Sequence, residues 1–216
     1  MVCTENDRLT TYGRYKYAMQ YYPCVKYINS TNEGELMMSN GEDKECNISV
    51  VRDEDGNKIV VVNDVIFKGK KIVWEDVERY LKRYVGEFYK IADDSEIIFI
   101  GTELPGEYTG SVYTKRMHGA GEKAKANAAQ IIPEMIQIAQ NGTYESNRKE
   151  KHNRDAKNGW YRYDTRFAMP VYNDCGELER YNIFKARLLI RHSSSGKKYL
   201  YDVVQIKKET STSCQV

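Results

Sequence analysis

Near the end of the chain, the segments YNIFKARLLIRH (181–192) and KKYLYDVVQIKK (197–208) alternate apolar and polar side chains with a period of two. An extended strand with one buried face satisfies that pattern, and a helix does not. Residues 160–172 follow the same rule, and the links at 173–176 and 193–197 are short enough for hairpins. The last third therefore reads as an antiparallel meander. Because successive side chains point to opposite sides of a sheet, its two faces can be assigned. The inner face takes Tyr163, Phe167, Met169 and Val171, then Phe184, Ala186, Leu188 and Ile190, then Leu200, Val204 and Ile206. The open face takes Arg162, Asp164, Arg166, Lys185, Arg187, Arg191, Tyr199, Tyr201, Gln205 and Lys207.

Upstream, two helical patterns are expected. From Trp74, the residues Val77, Leu81, Tyr84, Val85, Phe88 and Ile91 recur at three- and four-residue steps, the stripe of an amphipathic helix. A second helix is expected over about 122–140, where Pro133 either kinks it or opens a new helix in its first turn. The Ile131, Met135 and Ile138 side of that helix would cover the inner face of the meander. Before Trp74, ISVVRDEDGNKIVVVNDVIF places an Asp-Gly turn between two β-branched runs, a hairpin signal. EIIFIG reads as a short buried strand and LPGEYTGS as a turn-rich connection. The expected fold class is α+β: a helix packed on a C-terminal antiparallel sheet of three or four strands, preceded by a smaller hairpin-helix-strand region. The expected division is a variable region at 1–57, the hairpin strand, helix and strand at 58–107, and a basic helix-plus-sheet domain at 108–212, with one continuous domain over 58–212 as the alternative.

Charge is divided unevenly. Residues 1–107 hold 14 Lys+Arg against 20 Asp+Glu, 14 − 20 = −6, and the rest hold 19 against 11, 19 − 11 = +8. All three histidines fall in the basic half. An anionic partner would meet that half first. The stretch NRKEKHNRDAKNGWYRYDTRF concentrates cations, His152 and four aromatics. A sheet face mixing guanidinium groups with tyrosines is suited to phosphates and bases, although antiparallel sheets ordinarily expose a polar face, with Asp164 pairing an arginine. The candidate nucleic-acid contacts are Lys151, Arg154, Lys157, Lys185, Arg187, Arg191, Tyr199 and Tyr201. If there is chemistry, His152 serves as general base or acid in a loop whose positive potential favours the neutral imidazole, Arg162, Arg166 and Arg187 clamp the phosphate, and Lys207 or Tyr201 donates a proton. No Walker loop and no metal-ligand spacing occurs, so neither cofactor nor metal is expected. The five cysteines are scattered without a CxxC pair and fit reduced thiols. No apolar run of membrane length and no signal segment is visible, which points to the cytoplasm. In that compartment the sequons at Asn47 and Asn141 carry no glycan.

The motifs KAKANAAQIIPEMIQIA, KHNRDAKNGWYRYDTRF, YNIFKARLLIRH and GKKYLYDVVQIKKETS resemble domains of polyvalent proteins carried by phages and integrative elements of Firmicutes, over roughly 65–211. Those domains are similar in layout to the barnase, EndoU, colicin E5/D and RelE class of nuclease-like folds. The resemblance implies an RNase-like scaffold in a mobile-element protein working inside a bacterial host cell. Two functions follow as expectations: metal-independent RNA binding or cleavage, or non-catalytic anti-defence inhibition, anti-CRISPR-like, by binding a host protein or ribonucleoprotein complex. The acidic N-terminal half, with Asp53, Glu54 and Asp55, favours the second, and the basic half with its histidine favours the first.

Overall fold

The computed structural model of the protein describes residues 27–28, 47–147 and 156–209. In chain order its strands are β1 (Tyr27–Ile28), β2 (Ile48–Arg52), β3 (Lys58–Val62), β4 (Phe88–Lys90), β5 (Ile97–Ile100), β6 (Gln140–Glu145), β7 (Trp160–Tyr172), β8 (Leu178–His192) and β9 (Lys198–Lys208). The helices are α1 (Trp74–Leu81), α2 (Leu104–Gly110), α3 (Val112–Lys115), α4 (Gly119–Ala128) and α5 (Ile132–Gln137). All strands belong to one sheet ordered β1-β2-β3-β7-β8-β9-β5-β4, with β6 attached to β7 beside that path.

This corrects the expected α+β class. Among the described residues strands outweigh helices, 40% against 26%, and the eight strands of the main path curl into a half-barrel rather than forming a small sheet under one helix. The cause lies at the edges of the meander. An isolated β7-β8-β9 unit would leave two rows of backbone donors and acceptors unpaired. The early strands fill them: β3 pairs in parallel with β7 (Val60 with Phe167) and β5 pairs in parallel with β9 (Phe99 with Tyr199). Strand period tells which side chains face inward, but not which strand lies beside which.

The helices also break differently from their sequence pattern. α1 stops at Leu81, and Gly86, at φ 93, takes a left-handed conformation that no helix continues through. The chain then pairs β4 with β5, so Phe88 belongs to a strand rather than to the expected stripe. LPGEYTG forms α2, because Pro105 sits in the first turn, where its missing N–H leaves no bond unmade. Pro133 likewise opens α5, separated from α4 by a tight turn at Ala129–Ile131, and β6 begins at Gln140 where helix was expected.

Inner-face packing follows the alternation closely in β7 and β8. Tyr163, Phe167, Met169, Phe184, Ala186, Leu188 and Ile190 are buried in one core cluster with Ile131, Ile132, Met135 and Ile136. In β9 the expectation fails at one residue: Val203 is buried and Val204 is not. Two extra residues account for this, since Ile190 faces Leu200 while Leu189 faces Asp202, and Arg187 faces Val204 while Lys185 faces Lys207. Each bulge shifts the alternation by one. Gln205 takes φ 54 in the second, and the following Ile206 N–H donates to Tyr113 Oη at 2.5 Å.

The first bulge turns Asp202 under the helices. Lys125 Nζ on α4 donates to Asp202 Oδ1 at 2.6 Å, with the two side chains 0% and 3% exposed. The Tyr108 and Tyr113 rings lie 4.6 and 5.0 Å from that ammonium, and Asp202 Oδ1 also accepts the Val203 N–H. Burial pushes the Lys125 ammonium down and the Asp202 carboxyl up, against their mutual attraction. Glu134 on α5 is buried without such a partner: its Oε2 accepts no hydrogen bond among the described residues, and burial pushes its carboxyl up to about 7. Among the described residues no helix is long and apolar enough to cross a membrane.

Candidate functional site

On one edge β7 is covered throughout by β8, and on the other it is shared. β6 pairs with it from Trp160 to Asp164 and β3 pairs at Phe167 and Ala168, so Thr165 and Arg166 stand between the two. The sheet forks at that point. Cross-strand register sets Arg166 beside Lys185 and Lys185 beside Lys207, a row of three cations across β7, β8 and β9. Arg187 lies opposite Asp164 in the neighbouring row. Together with Asp53, Asp55 and Lys58 from the β2-β3 hairpin, these residues line a concavity of about 500 Å³. Four residues expected from the sequence, Arg166, Lys185, Arg187 and Lys207, therefore meet in one place. The lining carries 5 cations (Lys58, Arg166, Lys185, Arg187, Lys207) and 3 carboxylates (Asp53, Asp55, Asp164), 5 − 3 = +2.

The arginines are already engaged with carboxylates. Arg166 makes a two-pronged contact with Glu209, Nη2 to Oε2 at 2.7 Å and Nε to Oε1 at 2.9 Å, and its Nη1 donates to Asp53. Burial is the largest single influence and raises both carboxyls, but the hydrogen bonds and charge of Arg166, joined by Asn57 at Asp53 and by Lys185 at Glu209, together outweigh it and hold both below the ordinary carboxylate range. Arg187 Nε donates to Asp164 Oδ1 at 2.8 Å, and Arg162 pairs with Glu145 of β6. Arg191 is 12% exposed, lies 3.0 Å from Glu103 and covers the Tyr199 ring at 4.8 Å. Tyr201 packs edge-on against Trp160 at 5.1 Å. Lys157 is exposed in the turn before β7, apart from the concavity. Lys207 has no carboxylate partner among the described residues. Lys151, His152 and Arg154 lie outside the described residues, as does most of the tyrosine-rich first segment.

A second concavity, about 650 Å³, lies at the other side of the fork and is one the sequence reading missed. Asp93, Asp94 and Glu96 enter from the β4-β5 turn, Gln140, Asn141 and Gly142 from β6, Tyr161 and Tyr163 from β7, and Lys198 from β9. Its charged lining sums to 1 − 3 = −2. Lys198 pairs with Glu96 at 2.7 Å and stands 4.1 Å over the Tyr161 ring, while Asp93 pairs with Lys58 at 3.3 Å. Burial, then the neighbouring Asp94 charge, push the Tyr163 phenol above its ordinary value. Asp94 accepts the Glu96 N–H at 3.0 Å and has no cationic partner among the described residues. Asn141, at φ 55, begins a bulge in β6, and Gly142 lies flat on Tyr163, where an added Cβ would come within 2.6 Å of the ring. The signal was the Asn-Gly pair in QNGTYE, since Asn and Gly are the residues that most readily turn a strand out of register. Among the described residues no group of three or more His, Cys, Asp or Glu is placed to hold a metal ion.

The chain matches no family model, no curated protein and no solved structure.

Proposed function

We propose that the protein is a non-catalytic binding protein of a mobile genetic element, acting in the cytoplasm of a bacterial host and docking the open face of its sheet onto a protein of a host defence complex. The observation that carries this reading is the pairing of Arg162, Arg166, Arg187 and Arg191 with carboxylates. Polyanion binding draws its strength from free cations that release counterions, and here a phosphate would first have to displace Glu145, Asp53, Glu209, Asp164 and Glu103. A rigid face of interleaved positive and negative groups with tyrosines and arginines suits a folded protein of complementary charge. The motif resemblance to polyvalent-protein domains supports the mobile-element setting. The row of Arg166, Lys185 and Lys207 favours a second reading, metal-independent RNA binding or cleavage with His152 as its acid or base.

One experiment separates the two. Tagged protein is incubated with host lysate, and separately with total RNA in EDTA, beside His152→Ala and a Lys185→Glu/Lys207→Glu variant of unchanged circular dichroism. The expected result is intact RNA and a protein partner retained by the wild type and by His152→Ala but lost with the charge-reversed face. RNA cleavage that survives EDTA and disappears in His152→Ala would overturn the reading in favour of the second.

A further inference from the structure

The two concavities meet at the fork in the sheet. Gln140 and Asn141 line both, and Lys58 of the basic one is paired with Asp93 of the acidic one. Between them the edge of β7 at Thr165 and Arg166 has no strand partner among the described residues. The lining sums are opposite, −2 and +2, and each side keeps charges with no ion partner among the described residues, Asp94 on one and Lys207 with the hairpin-turn Asp55 on the other. On the acidic side Lys198 already covers the Tyr161 ring and pairs with Glu96, so the group left for a ligand cation is the Asp94 carboxylate beside them. Charge of one sign on each side of the fork, the acidic side at the inner-face Tyr161 and Tyr163 and the basic side on the open face, selects for a ligand polarised in the opposite sense, and an extended chain is the shape that reaches both while passing between the strands.

We infer that the two concavities act as one polarised groove that takes an extended peptide segment of the partner protein, its basic side chains beside Asp94 and its acidic side chains over Lys185 and Lys207. This rests on the docking reading above and narrows it to a peptide with segregated charge. A folded surface with scattered charge would satisfy one concavity at a time. A segregated peptide satisfies both and is read in one orientation.

The test uses fluorescein-labelled peptides and anisotropy on the full chain. The segregated probe is Arg-Arg-Gly-Ser-Gly-Ser-Glu-Glu, and the control of identical composition is Arg-Gly-Glu-Ser-Arg-Gly-Glu-Ser. The segregated probe should bind roughly tenfold more tightly than the control. Asp94→Asn and Lys207→Gln, both at exposed positions, should each remove most of that preference, and the double variant all of it. Equal binding of the two peptides, no binding, or a preference that survives the double variant overturns the inference. Failure here is distinguishable from failure of the docking reading. A partner still retained in lysate by the Asp94→Asn/Lys207→Gln double variant leaves docking standing and removes the groove. A wild type that prefers the segregated probe but retains no partner removes docking alone.

Discussion

The outer face of the sheet and the layer beneath its helices treat charge in opposite ways. Outside, Arg187 and Asp164 are each 44% exposed and face water on one side. Inside, Lys125 and Asp202 have almost no contact with water and depend on each other, and Glu134 on α5 is buried with no ion partner among the described residues. The attraction between two unit charges grows as the surroundings become less polarisable, and so does the cost of stripping each of its hydration. An exposed pair is therefore close to neutral in energy and free to exchange its partner, whereas a buried pair holds entirely or fails entirely. The exchangeable pairs lie where a partner would arrive, and the fixed pair lies where α4 is joined to β9.

Breaking the buried pair should give the largest effect. Lys125→Met keeps the packing but leaves Asp202 uncompensated, and denaturant unfolding should show a loss of about 3–5 kcal/mol. The double variant Lys125→Met/Asp202→Leu should recover most of it, and a single variant as stable as wild type would remove the contrast altogether. Glu134 sharpens the comparison through pH. Its folded carboxyl is raised from 4.5 to about 7, so the stability it contributes is fully present below pH 4.5 and is lost as pH rises through 7. The difference of about 2.5 units corresponds to roughly 3 kcal/mol. Glu134→Gln should remove that slope, which the difference between wild-type and variant unfolding at pH 5 and pH 8 would reveal. Arg187→Ala should give the smallest effect, about 0.5 kcal/mol or less, and vanishing in high salt. A larger loss would mean that pairs on the outer face are fixed in the same way as the interior pair.

Much of the meander was legible because a period of two is a local property. The limits of β7 and β9 and the gathering of Arg166, Lys185, Arg187 and Lys207 on one face all follow from alternation. Val203 and Val204 were exchanged because bulges are stabilised from across the fold, by Lys125 drawing on Asp202 and by Tyr113 accepting the Ile206 N–H. The same distance hid the neutralisation of the arginines. Asp53 lies 113 positions before Arg166 and Glu209 lies 43 after it, and nothing local announces either contact. α2 was hidden by a proline and two glycines that ordinarily mark a turn. The overall class was misjudged because pairing between early and late strands leaves no periodic trace. His152, the residue on which a catalytic reading turns, falls outside the described residues.

The parallel pairing of β3 with β7 joins residues 167 − 60 = 107 positions apart, and that of β5 with β9 joins residues 199 − 99 = 100 apart. Contacts of such separation form late, because a long loop must close before they contribute anything. On a ribosome, both early hairpins emerge with one flank open and must wait until the meander has been synthesised to offer them a place. The last strands made are thus the template for the first, and the interval between them is when this chain is most exposed to pairing with another copy of itself.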